Sequence, residues 1–244
     1  MHAKMTVATA SRVLKQLNHD KRTLVLLFVV PCTLLGLLTW IYDGGLVFDQ
    51  IGAPLLGIFP FLMMFLVTSV ATLRERTSGT LERLLAMPIG KLDLLLGYVL
   101  TFGLVAVLQA VLVSTISVYV YGLDVAGPQW FLILVALVDA LLGTALGLCA
   151  SALARTEFQA VQFMPALVLP QALLCGLLVP IERLPDILAA IAQVLPLTYA
   201  VEAMQLVTHE ASPSVEAFQD VLVVLAFAAV AVLLGAATLR RRTK

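Results

Sequence analysis

Hydrophobic positions along this chain fall into six long runs separated by short polar breaks. The runs cover residues 23–42, 51–73, 92–121, 130–153, 160–179 and 221–239. Each approaches the roughly 20 apolar residues that a helix needs to cross about 30 Å of hydrocarbon. The third is long enough to tilt or to project beyond the lipid. Residues 1–22 precede them and are polar, but Ala10, Val13, Leu14 and Leu17 stand at i, i+3, i+4 and i+7, with Arg12, Lys15 and Gln16 off that stripe. This spacing suits a basic amphipathic helix in the membrane interface, where Lys and Arg meet anionic lipid. A disordered basic arm is the alternative.

Two of the polar breaks have an internal plan. In Arg74–Lys91, Gly79 and Thr80 can start a helix, with Glu82 in its first turn where the helix dipole favours negative charge. Leu81, Leu84 and Leu85 then share one face, Glu82 and Arg83 point elsewhere, and Pro88 stops the helix. A two-turn helix is marginal alone, so its leucine face calls for a covering surface. That surface is either a partner or the lipid headgroups. In 180–220, Leu184, Ile187, Leu188, Ile191 and Val194 recur at helical spacing, Pro196 breaks the pattern, and 198–208 resumes it. The expectation is two short helices, 185–194 and 198–208, dipping into the outer face as a re-entrant hairpin within 180–210. Irregular backbone at that depth is stable only where protein or a water-filled cavity surrounds it.

Composition fits this picture: the 244 residues are 61% hydrophobic and 12% charged, against roughly half and a quarter in soluble domains. Charge orients it. With the N-terminus inside, all 15 Lys and Arg except Arg183 fall on the cytoplasmic side, as the positive-inside rule requires. Trp40, Tyr42, Tyr119, Tyr121 and Trp130 stand at the outer ends of their spans, where interfacial aromatics belong. Both termini are thus expected in the cytoplasm. No cleavable leader is expected, since no small-residue cleavage pattern follows the first apolar run.

Candidate chemistry is sparse. Cys32, Cys149 and Cys175 lie in apolar runs and read as small hydrophobes, and His2, His19 and His209 are scattered. No metal or cofactor site is expected, and the zero net charge gives no footprint for nucleic acid. No Walker A pattern occurs, so energy must come from a gradient or from another subunit. Asp139 is the acid well inside a span; a carboxyl at that depth costs about 3 kcal/mol and usually faces a bundle interior or cavity. It is either a packing hydrogen bond or a proton site. Gln109, Gln159, Gln162 and Gln171 either join helices or line a path. Gly143 and Gly147 form G-x-x-x-G, which serves close packing within the chain or a dimer face. Tyr199 and Glu202 mark an outer gate or the wet interface.

The stretch R-E-R-x-x-G-T-L-E-R-L-L-A-M-P-I, followed by K-L-D-L-L-L-G-Y-V-L, resembles the hallmark segment of ABC-2 type permeases, such as those of daunorubicin-resistance and nodulation-factor export. L-P-L-T-Y-A-V-E-A-M at Leu195–Met204 is similar to the family's late extracytoplasmic motif. The likeness covers nearly the whole chain. It implies that Gly79, Thr80, Leu81, Glu82, Arg83, Leu84, Leu85 and Pro88 form a cytoplasmic coupling helix that docks on a separate ATPase subunit. It also implies a second permease, identical or related, with ATP and Mg held by the ATPase partner.

These readings converge on an all-α polytopic membrane protein. Residues 1–22 form an interfacial helix, and 23–244 a single six-span domain with the coupling helix at 79–88 and the outer hairpin at 180–210. The expected role is the permease of an ATP-binding cassette exporter in a bacterial cytoplasmic membrane, without ATPase activity of its own, moving a lipophilic small molecule, drug or lipid-like compound. Its substrate path is expected at Gln109, Asp139, Gln162, Gln171, Tyr199 and Glu202. A proton-coupled transporter using Asp139, or a non-transporting scaffold, is the alternative.

Overall fold

The computed structural model describes residues 3–80, 83 and 90–238, and every regular element among them is helical. In chain order these are α1 (Ala3–His19), α2 (Lys21–Ile41), α3 (Leu46–Thr77), α4 (Lys91–Tyr119), α5 (Gln129–Leu153) and α6 (Glu157–Leu174). A 3-10 turn at Ile181–Arg183, α7 (Asp186–Ala192), α8 (Pro196–His209) and α9 (Val215–Thr238) complete the order.

Five helices, α2, α3, α4, α5 and α9, are long and apolar enough to cross a membrane, or up to six if the bent pair α7–α8 counts as one span. The expected fifth span, 160–179, corresponds to α6, which is not among the five. The helix starts at Glu157 and ends at Leu174, so it takes in polar Glu157 and Gln159, which precede the apolar run, and leaves out its apolar end at 175–179.

The centre of the bundle is α3 packed along α5. Gly143 and Gly147 make this contact possible. A Cβ built on Gly143 would sit 2.3 Å from the Phe61 carbonyl oxygen, and one on Gly147 2.6 Å from that of Phe65. The G-x-x-x-G motif therefore serves packing within the chain, backbone against backbone. Phe48, Phe61, Phe131, Leu132, Leu197 and Met204 are buried around this seam.

α1 docks on α4. Its buried face comprises Thr6, Thr9, Val13 and Leu17, while Leu14 is exposed, so the face is rotated from the apolar stripe read in sequence. The cause is Gly97 of α4, where an added Cβ would lie 2.6 Å from Thr9 Cβ. A small residue there lets threonines, rather than leucines, make the contact. Asp20 separates α1 from α2 and caps α2, accepting from Thr23 N at 3.2 Å and Thr23 Oγ1 at 2.7 Å.

The outer segment folds as two helices bent by 85°. Pro196 opens α8 as its first residue, a position where a missing amide removes no helical bond, so it starts a helix rather than only ending one. The α7 stripe stays uncovered by the chain: Ile187, Leu188, Ile191 and Val194 are exposed. α8 buries Leu197, Ala200, Val201, Met204 and Val207 instead.

Candidate functional site

α3 has 32 residues, which gives about 48 Å at 1.5 Å per residue, well beyond the hydrocarbon thickness. Its last turns therefore carry Arg74, Glu75 and Arg76 out of the apolar layer. Gly79 ends it with a φ of +71°, a left-handed conformation that costs glycine nothing. Thr80 is helical again, and Arg83 N bonds Gly79 O at 3.2 Å. Leu81, Glu82, Leu84, Leu85 and Pro88 of the expected coupling helix lie outside the described residues. Gly90, in extended conformation, then leads into α4.

Both roots of this segment are held by one buried ionic cluster. Arg12 of α1 donates to both carboxylate oxygens of Glu75, at 2.9 Å each. Tyr98 Oη of α4 donates to Glu75 Oε2. Glu75 is 7% exposed, and a carboxylate so placed is stable only with such a bidentate partner. The carboxylate in turn holds the Arg12 guanidinium above its usual pKa, against the opposing effect of burial. Thr101 Oγ1 adds a bond to Ala10 O at 2.9 Å. α1 thus clasps α3 just before the 78–90 segment and α4 just after it.

A second, exposed cluster stands beside the first. Arg74 Nε and Nη2 donate to Glu157 of α6 at 2.8 and 3.0 Å, and Arg74 Nη1 lies 3.9 Å from Asp20. The Thr23 hydrogen bonds, with Arg74 a lesser influence, hold Asp20 below its ordinary pKa. The Arg74 hydrogen bonds do the same for Glu157. Between the clusters and the spans lies a cavity of about 490 Å³.

The sequence-derived path residues do not converge. Gln109, fully buried, donates from Nε2 to Leu27 O at 2.9 Å. Gln162 is exposed on α6, and Gln171 bonds Leu167 O at 3.0 Å within that helix. Tyr199 donates to Gln193 O at 2.7 Å inside the hairpin, and Glu202 is exposed on α8. Asp139 is 1% exposed, and neither carboxyl oxygen has a hydrogen-bond partner among the described residues. It abuts Gly57 of α3, whose built Cβ would lie 3.2 Å from Oδ2. No packing hydrogen bond to Asp139 is thus made among the described residues. Sequence reading missed Arg12, Asp20, Tyr98 and Glu157 as site residues; Glu75 and Tyr98 stood within the quoted motif, but their partner lay far away in sequence.

The model for the family described as ABC-2 type transporter matches residues 6–208, which takes in α1, the 78–90 segment and all but the last helix. The chain belongs to the ABC-2 type transporter family. Three relatives illustrate the range. The "Probable multidrug ABC transporter permease YbhS" of Escherichia coli (strain K12) is 28% identical over 141 residues, 57% of this chain and 37% of that protein. The "Linearmycin resistance permease protein LnrN" of Bacillus subtilis (strain 168) is 25% identical over 181 residues, 74% of this chain and 47% of that protein. The "ABC transporter G family member 20" of Dictyostelium discoideum is 26% identical over 157 residues, 64% of this chain and 22% of that protein. The matched stretch thus spans less than half of each of these relatives. As an ABC-2 family member with five to six spanning helices, this is a multi-pass membrane protein.

Proposed function

We propose that this chain is the permease of an ATP-binding cassette exporter. It moves a lipophilic small molecule, drug or lipid-like compound out of the cytoplasm. ATP and Mg are bound and turned over by separate ATPase subunits, and a second permease, identical or related, completes the path. The observation that carries the reading is the clasp at the roots of segment 78–90. A partner that pushes on this segment would move α3 and α4 through Arg12, Glu75 and Tyr98 as one body, instead of bending a loose loop. Closure of the ATPase pair on ATP would thereby favour one permease conformation, a rigid-body shift driven by differential binding. The multidrug and linearmycin-resistance relatives support a drug as cargo.

The orientation follows from charge. Arg12, Arg74, Arg76, Arg83 and Arg155 belong to the segments read as cytoplasmic, and the positive-inside rule supports a reading with the α3 C-terminal end and both termini in the cytoplasm of a bacterial cell. The test is reconstitution with the ATPase subunit in inside-out vesicles. ATP-dependent uptake of a lipophilic dye that needs both subunits supports the reading; uptake driven by a proton gradient without the ATPase contradicts it.

One observation favours a second reading. Asp139 is a buried carboxyl without a hydrogen-bond partner among the described residues, the kind of group that carries protons in secondary transporters. That reading requires transport to stop in Asp139→Asn while the chain still inserts.

A further inference from the structure

The cavity between the two ionic clusters has an apolar wall and a charged mouth. Met63, Leu66, Val67 and Val70 of α3, Leu26 of α2 and Val161 of α6 form part of the wall. Leu26 and Val161 are exposed, so the wall opens sideways on surfaces that face hydrocarbon in a spanning chain. α2 and α6 both pack on α3 and flank this opening. At about 490 Å³ the cavity falls in the size range of small-molecule sites. An apolar recess at this depth has few partners for water, and an acyl chain fits its chemistry.

The mouth sets the head. Arg74 stands between Glu157 and Asp20, one guanidinium flanked by two carboxylates, all partly exposed. A purely anionic head would meet Arg74 but leave both carboxylates beside it. A purely cationic head would meet the carboxylates but face the guanidinium. A head with a phosphate and an ammonium satisfies both: the phosphate takes the Nη1 edge of Arg74, which the Nε and Nη2 bonds to Glu157 leave open, and the ammonium takes the outer oxygens of Glu157 and Asp20. We infer that this cavity is a binding site for a zwitterionic phospholipid of the bilayer, one acyl chain in the recess and its phosphoethanolamine head in the Asp20–Arg74–Glu157 mouth. The site goes beyond the exporter reading, since it requires neither ATP nor a partner subunit. Only the leaflet, the inner one, rests on the proposed orientation.

The test uses the full chain in nanodiscs doped with phosphatidylethanolamine carrying a photoreactive group in one acyl chain, with adducts mapped by mass spectrometry. The site predicts adducts concentrated on residues 63–71 and around Val161. Val67→Trp, which fills the recess, should reduce them about tenfold, and so should Val161→Trp at an exposed position that tolerates the larger ring. Val230→Trp on the exposed face of α9 should leave them unchanged. Replacing the probe with phosphatidylglycerol should reduce the same adducts, and Glu157→Gln combined with Asp20→Asn, which removes the charges that meet the ammonium, should erase the difference between the two lipids. Adducts spread evenly over all exposed apolar faces, or unaffected by both tryptophans, would overturn the site. Equal or stronger capture of phosphatidylglycerol would overturn the head assignment. Because no ATPase is present, either failure leaves the exporter reading untouched.

Discussion

Gln109 of α4 donates its side-chain amide to the backbone carbonyl of Leu27 in α2, at 2.9 Å. That carbonyl is the one Pro31 leaves without an intrahelical donor, since proline four residues on has no N–H. A side chain from a neighbouring helix thus completes the backbone bonding of a proline-bearing span, as hydrocarbon surroundings demand. Gln109→Leu should lower stability by about 1–2 kcal/mol through the orphaned carbonyl. Adding Pro31→Ala should recover much of it, because the new amide can reach Leu27 O. Reversible unfolding in mixed micelles, run as a double-mutant cycle, reads this coupling; strict additivity of the two changes contradicts it.

The glycines of α5 give a sharper steric prediction. Gly143→Ala drives a methyl into the Phe61 carbonyl and should cost about 1–3 kcal/mol by separating α3 from α5. At Gly103 the built Cβ meets Leu141 Cδ2 at 3.4 Å, so Gly103→Ala should stay within about 0.5 kcal/mol. Melting temperatures of the two variants in one detergent decide it: equal values would mean that the α3–α5 seam can relax.

Asp139 has no partner to lose among the described residues. Asp139→Asn should therefore preserve assembly and export, and removing a buried acid should hold or raise stability. Transport assays of a variant shown to be fully inserted check this. A well-assembled but inactive Asn variant would favour the proton-coupled reading instead.

The Arg12–Glu75 pair is argued to position the roots of segment 78–90. Breaking it by Arg12→Ala leaves Glu75 buried without its cation, a loss of about 3–5 kcal/mol. Glu75→Gln keeps a neutral acceptor for Tyr98 and should be milder in stability while still loosening the clasp. Both should lower transport per ATP hydrolysed while the ATPase subunit stays bound. A merely structural role would lower transport and hydrolysis together, so their ratio is the readout. The exchange Arg12→Glu with Glu75→Arg should restore part of the ratio.

How far the sequence revealed this molecule differs by element. The spans were legible because crossing a bilayer imposes a run length, and α2 to α5 start and end near the expected residues. The helix of the 160–179 run is shifted to 157–174, so polar Glu157 and Gln159 enter it and the apolar end at 175–179 does not, an offset that run length alone does not reveal. The buried face of α1 was misplaced by one position of the helix, because a contact made by Thr9 on Gly97 leaves no hydrophobic mark. The clasp was not legible: Arg12 and Glu75 lie 63 residues apart, and each alone reads as a solvated charge at a membrane surface. Their pairing depends on where α1 docks, which hydropathy does not encode. Asp139 was found, but its lack of a partner is a property of the packed bundle.

We propose that segment 79–88, held at both roots, couples this chain to an ATPase subunit. At helical spacing Leu81, Leu84 and Leu85 would share one face, and burying a leucine side chain contributes about 1.5–3 kcal/mol. A charge on that face should remove at least as much docking energy. The direct measurement is co-purification of the ATPase subunit with Leu84→Asp and Leu85→Asp, alongside ATP-dependent export, with Arg242→Glu in the tail as control. The expected result is inserted permease that has released its ATPase or no longer exports, with Glu82→Lys milder. Retention of the ATPase and export at the control's level in both leucine variants would contradict it.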